Sequence, residues 1–280
     1  YINGVKQAVE YNGHNKVYYT FKFDGTVTGR LSCAAYTCGR SKKKGVSFHT
    51  LPRTKTPNIR SIFVAPKGWQ FITADYSQME LRILAHLANE PNMIKAFKED
   101  KDLHLYTASL VYGKPEKDIT KEERQIAKAV SFLLVYGGSA YRLSKETGLD
   151  QETSEDIING YFRVYPKVLS WMEETKAFLY KNKYVTSLFG VRRNLPNVRS
   201  PSNKIRARAE RQAGNFIVQK SASDITCFAV LDIMMELEKQ GLRGRVVATV
   251  HDSIEIVSPP EETLEICAII RYKMMNLPYM

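Results

Sequence analysis

Cysteine is scarce: Cys33, Cys38, Cys227 and Cys267 are all that 280 residues contain. Four is too few for a disulfide scaffold and fits a reducing compartment. Cys33, Cys38 and His49 are poorly spaced for zinc and lack a fourth ligand, so no zinc site is expected. Long apolar runs are missing as well. No stretch is long enough to cross a bilayer, and no secretory signal opens the chain, although the abrupt start at Tyr1-Ile2-Asn3 is compatible with a lost leader. Internal repeats and low-complexity linkers are absent. Acidic residues are in deficit, 29 against 41 Lys and Arg, and the resulting charge of +12 favours a polyanionic partner, nucleic acid before membrane. Apolar residues are not in deficit: at 44% hydrophobic the chain can bury a core, which excludes wholesale disorder.

The first 31 residues alternate in "KVYYTFKFDGTVTGRLS" and predict β-structure with a turn at Asp24-Gly25. Residues 38–57 read as loop, and their basic run "GRSKKKG" reads as a solvated surface segment or a phosphate contact. Helices are expected from Ser77 to Leu87, from Lys121 to Val135 behind the start signal at Thr120, and over 153–183 with Pro166 as an interruption or a new start. "SLFGVRRNLP" predicts a hairpin with Gly190 near its turn. A long helix over 203–239 precedes strands at Gly244–Val250 and Ile254–Val257 and a helix from Glu261. Strands flanking a helical insert predict an α+β protein, a sheet platform with a helical subdomain between sequence-distant strands.

"FITADYSQMELRILAHLA", from Phe71 to Ala88, joins a short apolar strand to a helix, with Asp75 at the joint. Phe71 to Ala74 read as a buried strand, and a lone carboxylate at its end is costly. "VVATVHDSIEIV" offers a second: Asp252 sits in a turn between two apolar strands. Either aspartate alone is satisfied by a turn or cap role. Two of them on adjacent strands can hold two divalent cations, and a metal pair about 3.5–4 Å apart stabilises both the attacking and leaving oxygens of an in-line phosphoryl displacement.

In "ERQIAKAVSFLLVYGG", Arg124, Lys128, Phe132 and Tyr136 recur every four residues, giving one gently drifting stripe on a helix that Gly137-Gly138 ends. A nucleoside triphosphate along it would meet cations with its phosphates and rings with its sugar and base. An ordinary amphipathic helix with both rings in the core satisfies the same spacing.

Six segments, in order over nearly the whole chain, resemble the polymerase domain of family A DNA polymerases, the bacterial polymerase I type. They are Thr28-Gly-Arg-Leu-Ser32, Asp75-Tyr-Ser-Gln-Met-Glu-Leu-Arg82, Asp102-Leu-His104, the stripe Arg124 to Gly137, Arg211-x3-Asn215-x3-Gln219 and His251-Asp252. The resemblance implies a right-hand architecture without its thumb: an antiparallel-sheet palm (1–110 and 206–280) with helical fingers (111–205) inserted. It implies a nucleotidyltransferase that adds deoxynucleoside monophosphates to a primer 3′ end. Asp75 and Asp252, with the Tyr76 carbonyl, would hold two Mg2+ ions, with Mn2+ able to substitute. Arg124 and Lys128 would bind phosphates, and Lys128 would protonate the leaving group. Phe132 would lie on the deoxyribose, Tyr136 near the templating position, and Gln78 and His104 in the nucleotide site. Glu80 would close the sugar pocket against a 2′-hydroxyl, although Ser77 to Glu80 also forms a good capping box. Arg30, Arg211, Asn215, Gln219 and His251 would contact primer, template and minor groove. The implied partners are primer–template DNA and deoxynucleoside triphosphates, with no membrane. The implied state is monomeric and cytoplasmic in a bacterial or phage replication context, as part of a longer polymerase.

The match departs from the family at Ser253, where a Glu is usual; Glu255 lies on the same strand face. "FHTLPR" matches a family segment only loosely. The rivals are a single-subunit RNA polymerase, which Glu80 opposes, a two-metal nuclease, which has no use for the stripe, and a non-catalytic DNA-binding remnant.

Overall fold

The computed structural model describes residues 16–22, 25–35, 47, 49, 51 and 59–277. The turn residue Asp24, the run "GRSKKKG" and most of "FHTLPR" lie outside them. All strand pairs among the described residues are antiparallel, and helices supply most of the rest, so the structure is α+β. It falls into two compact units. One holds the described residues up to Ser77 and from Ser223 onward; the other is Gln78–Ala222.

The first unit opens with a hairpin of β1 (Tyr19–Lys22) and β2 (Ser32–Ala35). The alternation seen in the sequence therefore stops short: Thr26 to Leu31 form the connection, turned by Gly29 at φ 73°. The unit's main sheet has the order β3 (Gln70–Asp75), β7 (Ser253–Ser258), β6 (Arg245–Val250). The central strand turns Ile254 and Ile256, both fully buried, to one face, and Ser253, Glu255 and Val257 to the other. Helix α9 (Thr263–Met275) packs on β3 and buries Ile266, Ile269 and Ile270. Each fully buried aliphatic of this kind contributes about 1.5–3 kcal/mol of apolar transfer.

The second unit is helical: α1 (Met79–Leu87), α2 (Pro91–Lys98), α3 (Leu103–Tyr112), α4 (Lys121–Val135), α5 (Ala140–Thr147), α6 (Gln151–Val164) and α7 (Pro166–Asn182). Pro166 is a new start, not an interruption. It occupies the first turn of α7, where its missing N–H costs nothing. The predicted hairpin forms from β4 (Tyr184–Thr186) and β5 (Arg192–Asn194), with Gly190 at φ 78° between them. Its Val185 packs with Leu179, Leu195, Val198, Ala213 and Phe216. The last helix, α8 (Asn203–Lys239), gives its residues up to Ala222 to this unit and the remainder to the first.

Candidate functional site

Asp75 ends β3, and its Cα partner across the sheet is Ser253, the first residue of β7. Asp252 is the residue before Ser253, so backbone pairing alone makes the two aspartates neighbours at one end of the sheet. The ladder extends one step past the strands: the Tyr76 N–H donates to the Asp252 carbonyl at 3.3 Å. The turn that carries Asp252 is only His251-Asp252, and His251 takes the left-handed conformation it needs, φ 59°. The sequence suggested a buried charge at Asp75. The structure corrects this: β3 is an edge strand, one face of it is open, and Phe71, Thr73 and Asp75 are exposed along that face. Asp75 therefore needs no counter-charge to exist there.

Ser253, at 7% exposed, is buried. Its hydroxyl lies 3.0 Å from the Val250 carbonyl and 2.9 Å from Glu255 Oε1. The other Glu255 oxygen accepts from the Thr73 hydroxyl at 2.5 Å. Ser253 and Glu255 thus share a face, as their spacing requires. Beside the turn, His251 stacks on His49 with ring centroids 5.4 Å apart, and His49 Nε2 lies 2.9 Å from the Thr249 carbonyl. Burial holds the His49 imidazole below its ordinary pKa; the Arg30 charge adds to this and the Thr249 hydrogen bond opposes it. Arg30, Ser223, Thr249, His251 and Asp252 line one small cavity of this unit.

In the second unit, α4 starts with the full capping box. Thr120 Oγ1 accepts from the Glu123 N–H and the Glu123 carboxylate accepts from the Thr120 N–H. It ends in a Schellman motif: Gly138 N–H donates to the Leu133 carbonyl at 2.8 Å and Gly137 N–H to that of Leu134 at 2.9 Å. Gly137 is at φ 64°, and a Cβ there would lie 3.2 Å from the Arg211 Cα. No other residue fits that corner. Between the caps, Ala127, Val130, Leu133, Leu134 and Val135 are buried, while Lys128 is exposed and Arg124, Phe132 and Tyr136 are half-buried. The stripe is therefore the helix face turned away from the core, and the reading with both rings in the core fails.

Three side chains back the stripe. The His104 ring sits 5.7 Å from that of Phe132 and is 4% exposed. Burial pushes its pKa down to about 4, helped by Lys128 and Arg124 and opposed by Asp102. Arg124 is held by Asp102, through Nε at 2.9 Å and Nη2 at 2.6 Å. The Tyr136 hydroxyl donates to Glu80 Oε2 at 2.8 Å, and Glu80 is 5% exposed. The N-cap of α1 is Gln78 rather than Ser77, and the Gln78 side chain makes no capping bond. Gln78 is left-handed at φ 52°, and its buried Oε1 has no hydrogen-bond partner. On α8, Arg211 is exposed, Asn215 reaches the Tyr136 carbonyl at 3.5 Å, and Gln219 is buried at 6% exposed.

The sequence model of DNA polymerase family A matches residues 1–279. The chain belongs to DNA polymerase family A. It is 35% identical over 276 residues to DNA polymerase I of Caldicellulosiruptor bescii, a match covering 99% of this chain and 31% of that protein. Over 250 residues it is 38% identical to DNA polymerase I of Pseudomonas aeruginosa, covering 87% of this chain and 27% of the relative. With thermostable DNA polymerase I of Thermus aquaticus it shares 35% over 258 residues, 91% of this chain and 30% of the relative. Among solved structures, the POL domain of Pol1 from M. smegmatis, in complex with DNA primer-template and dNTP, superposes with a TM-score of 0.89 at 31% identity. That match covers 98% of this chain and 47% of the other. The chain thus spans about 30% of the length of these curated relatives.

Family A membership leaves some features of this chain to its own structure. In the sequence Asp102 stands out only within Asp102-Leu-His104; its position before the apolar start of α3 is the signal that marks it as a cap. The His49–His251 stack joins residues about 200 apart, and no local pattern announces it. Cys38, of the dismissed zinc trio, lies outside the described residues, and among those described no group of three or more metal-ligating side chains gathers. No described helix is long and apolar enough to cross a membrane.

Proposed function

We propose that this chain is the palm (1–110 and 206–280) and fingers (111–205) of a template-directed DNA polymerase, part of a longer protein. It would add deoxynucleoside monophosphates to a primer 3′ end by two-metal-ion phosphoryl transfer. The observation that carries the reading is the β3–β7 register, which makes Asp75 and Asp252 neighbours across one end of a sheet. Their oxygens, with the Tyr76 carbonyl, form a hard donor set that fits Mg2+ or Mn2+. Among the described residues no third ligating side chain joins the two carboxylates, which leaves room for water and substrate phosphates, the coordination Mg2+ favours. Bound there, the cations would acidify the primer hydroxyl and neutralise phosphate charge.

The chain's own groups do the rest by positioning. Arg124 and Lys128 hold the triphosphate, and Lys128 delivers a proton to the departing pyrophosphate. His104 stays neutral at physiological pH, so it can donate or accept a hydrogen bond without adding charge. Phe132 supports the deoxyribose, and Glu80, fixed by the Tyr136 hydroxyl, fills the space a 2′-hydroxyl would need. Arg30, Arg211, Asn215, Gln219 and His251 are assigned to primer–template DNA, and Gln78 to the nucleotide site.

Primer extension by the purified chain, with deoxynucleotides against ribonucleotides and with or without Mg2+, tests this. Mg2+-dependent extension that prefers deoxynucleotides is expected. Extension only with ribonucleotides, or DNA binding with no extension, would overturn the reading.

A further inference from the structure

Asp102 is the N-cap of α3, and one carboxylate does two jobs there. Oδ1 accepts from the backbone N–H of His104 at 3.0 Å and of Leu105 at 3.1 Å. Oδ2 accepts from Arg124 Nε and Nη2. One side chain thereby ties the start of the helix that carries His104 to the helix that carries the cationic stripe. The pairing is side-on: it uses the Nε edge of the guanidinium and leaves Nη1, and one hydrogen of Nη2, for another acceptor. His104 adds a second sign of an incomplete cluster, because its buried Nδ1 has no hydrogen-bond partner.

We propose that Asp102 is a positioning residue that holds the Arg124 guanidinium in one orientation, with its outer N–H edge presented to the nucleotide triphosphate. This rests on the reading of Arg124 as a phosphate ligand. Two effects of Asp102 oppose each other. Its negative charge weakens the attraction of Arg124 for an anion. Its hydrogen bonds remove the rotamer freedom of a long side chain before the nucleotide arrives, so that freedom is not lost on binding. Both partners are about one-third exposed, 35% for Arg124 and 36% for Asp102, so solvent screens the charge effect. The ordering effect is not screened, and it wins. The Asp102 carboxyl stays ionised: burial would raise its pKa, but the Arg124 bonds and the two backbone N–H groups outweigh that and lower it.

Asp102→Ser separates the two jobs. Serine is a good N-cap but too short to reach Arg124. In the uncomplexed chain, the Arg124 Nε–H signal in a 15N NMR spectrum should exchange slowly with water in the wild type and quickly in Asp102→Ser, while melting stays close to wild type. Calorimetric titration of the chain alone with dATP should show about fivefold weaker binding for Asp102→Ser, the scale of a partly exposed pair. Adding Asp102→Ser to Arg124→Ala should weaken binding no further, because the partner is already gone. Asp102→Ala should both melt earlier and bind weakly. Equal or tighter dATP binding by Asp102→Ser, additive losses in the double variant, or a fast-exchanging Nε–H in the wild type would each overturn the proposal. A wild type that binds no dATP would overturn it as well. A chain that binds dATP with this dependence on Asp102 but never extends a primer would overturn the polymerase reading and leave this one standing.

Discussion

In the first unit Asp75 and Asp252 are neighbours because two strands pair, Asp75 against Ser253, with the Tyr76 N–H on the Asp252 carbonyl. No side-chain partner is needed to set that. In the second unit the chemistry hangs on side chains holding side chains: Arg124 on Asp102, and Tyr136 on the buried Glu80. The first arrangement survives deletion of a functional group; the second does not. Substitutions should therefore separate function from stability cleanly in the sheet, and poorly in the helices where the supporting side chain is buried, as Glu80 is.

The largest effect belongs to the sheet. Asp75→Ala and Asp252→Ala should each lower primer extension by roughly a thousandfold, the scale of the several kcal/mol a positioned cation supplies. Asp75 is exposed and caps nothing, so its removal should leave unfolding free energy within about 0.5 kcal/mol of wild type. A variant that loses activity only in proportion to lost folding would erase the contrast between the units, and substantial residual extension would remove the metal assignment.

Next comes Glu80→Ala, where function and stability should move together. Ribonucleotide incorporation relative to deoxynucleotide should rise roughly 10- to 100-fold, the range one lost pocket contact commands. Melting should fall as well, because the Tyr136 hydroxyl loses its acceptor. Tyr136→Phe should reproduce part of the selectivity change by removing the hydroxyl that donates to Glu80 Oε2. A lower melting temperature with unchanged sugar selectivity would make Glu80 structural only.

Strands, caps and helix ends could be read from the sequence because their causes are local. Thr120 and Glu123 are three residues apart, Gly137 follows its helix directly, and Pro166 either interrupts a helix or begins one. Failures came where the cause was remote. Whether β3 has one covered face or two depends on what packs over the sheet, here the remote helix α9 on one side, and Phe71 to Ala74 do not encode that. Whether Glu80 caps its own helix or holds Tyr136 depends on a residue 56 positions away. Of the candidate site, the residue types and their helix face were legible; the partners that fix them were not.

A smaller effect probes the helical unit by pH. The His104 imidazole takes up its proton near 6.5 when unfolded and near 4 when folded, chiefly because it is buried, with Lys128 and Arg124 also opposing the proton and Asp102 favouring it. The unfolded chain therefore binds more protons in that window. The stability His104 contributes is complete above pH 6.5, is lost as pH falls toward 4, and changes no further below. His104→Gln should flatten denaturant-melt stability between those limits. Identical slopes in both proteins would mean that the ring is solvated in solution.

The smallest effect concerns Ser253, where the resemblance to the family breaks. A glutamate at this buried position would stand next to Asp252 in sequence and against Glu255 on the same face. Glu255 is already taken by the Thr73 and Ser253 hydroxyls, so its carboxylate serves the sheet rather than a cation. Ser253→Glu should lower the Mg2+ needed for half-maximal extension by about two- to threefold, with little change in the maximal rate, since the added charge attracts the cation while its own burial at this position offsets most of the gain. Like charges raise the pKa of one of the two carboxyls, so the gain should grow as pH is raised. Adding Glu255→Gln keeps an acceptor for Thr73, removes the like charge, and should make the gain independent of pH. Glu255→Ala alone should cost no more than about 1 kcal/mol of stability, since the Ser253 hydroxyl keeps the Val250 carbonyl as acceptor and the exposed Thr73 hydroxyl turns to water, with an unchanged Mg2+ requirement. If Glu255→Ala instead raises that requirement sharply and Ser253→Glu does nothing, Glu255 is the compensating ligand, and the sheet, like the helices, holds its chemistry through a side-chain partner.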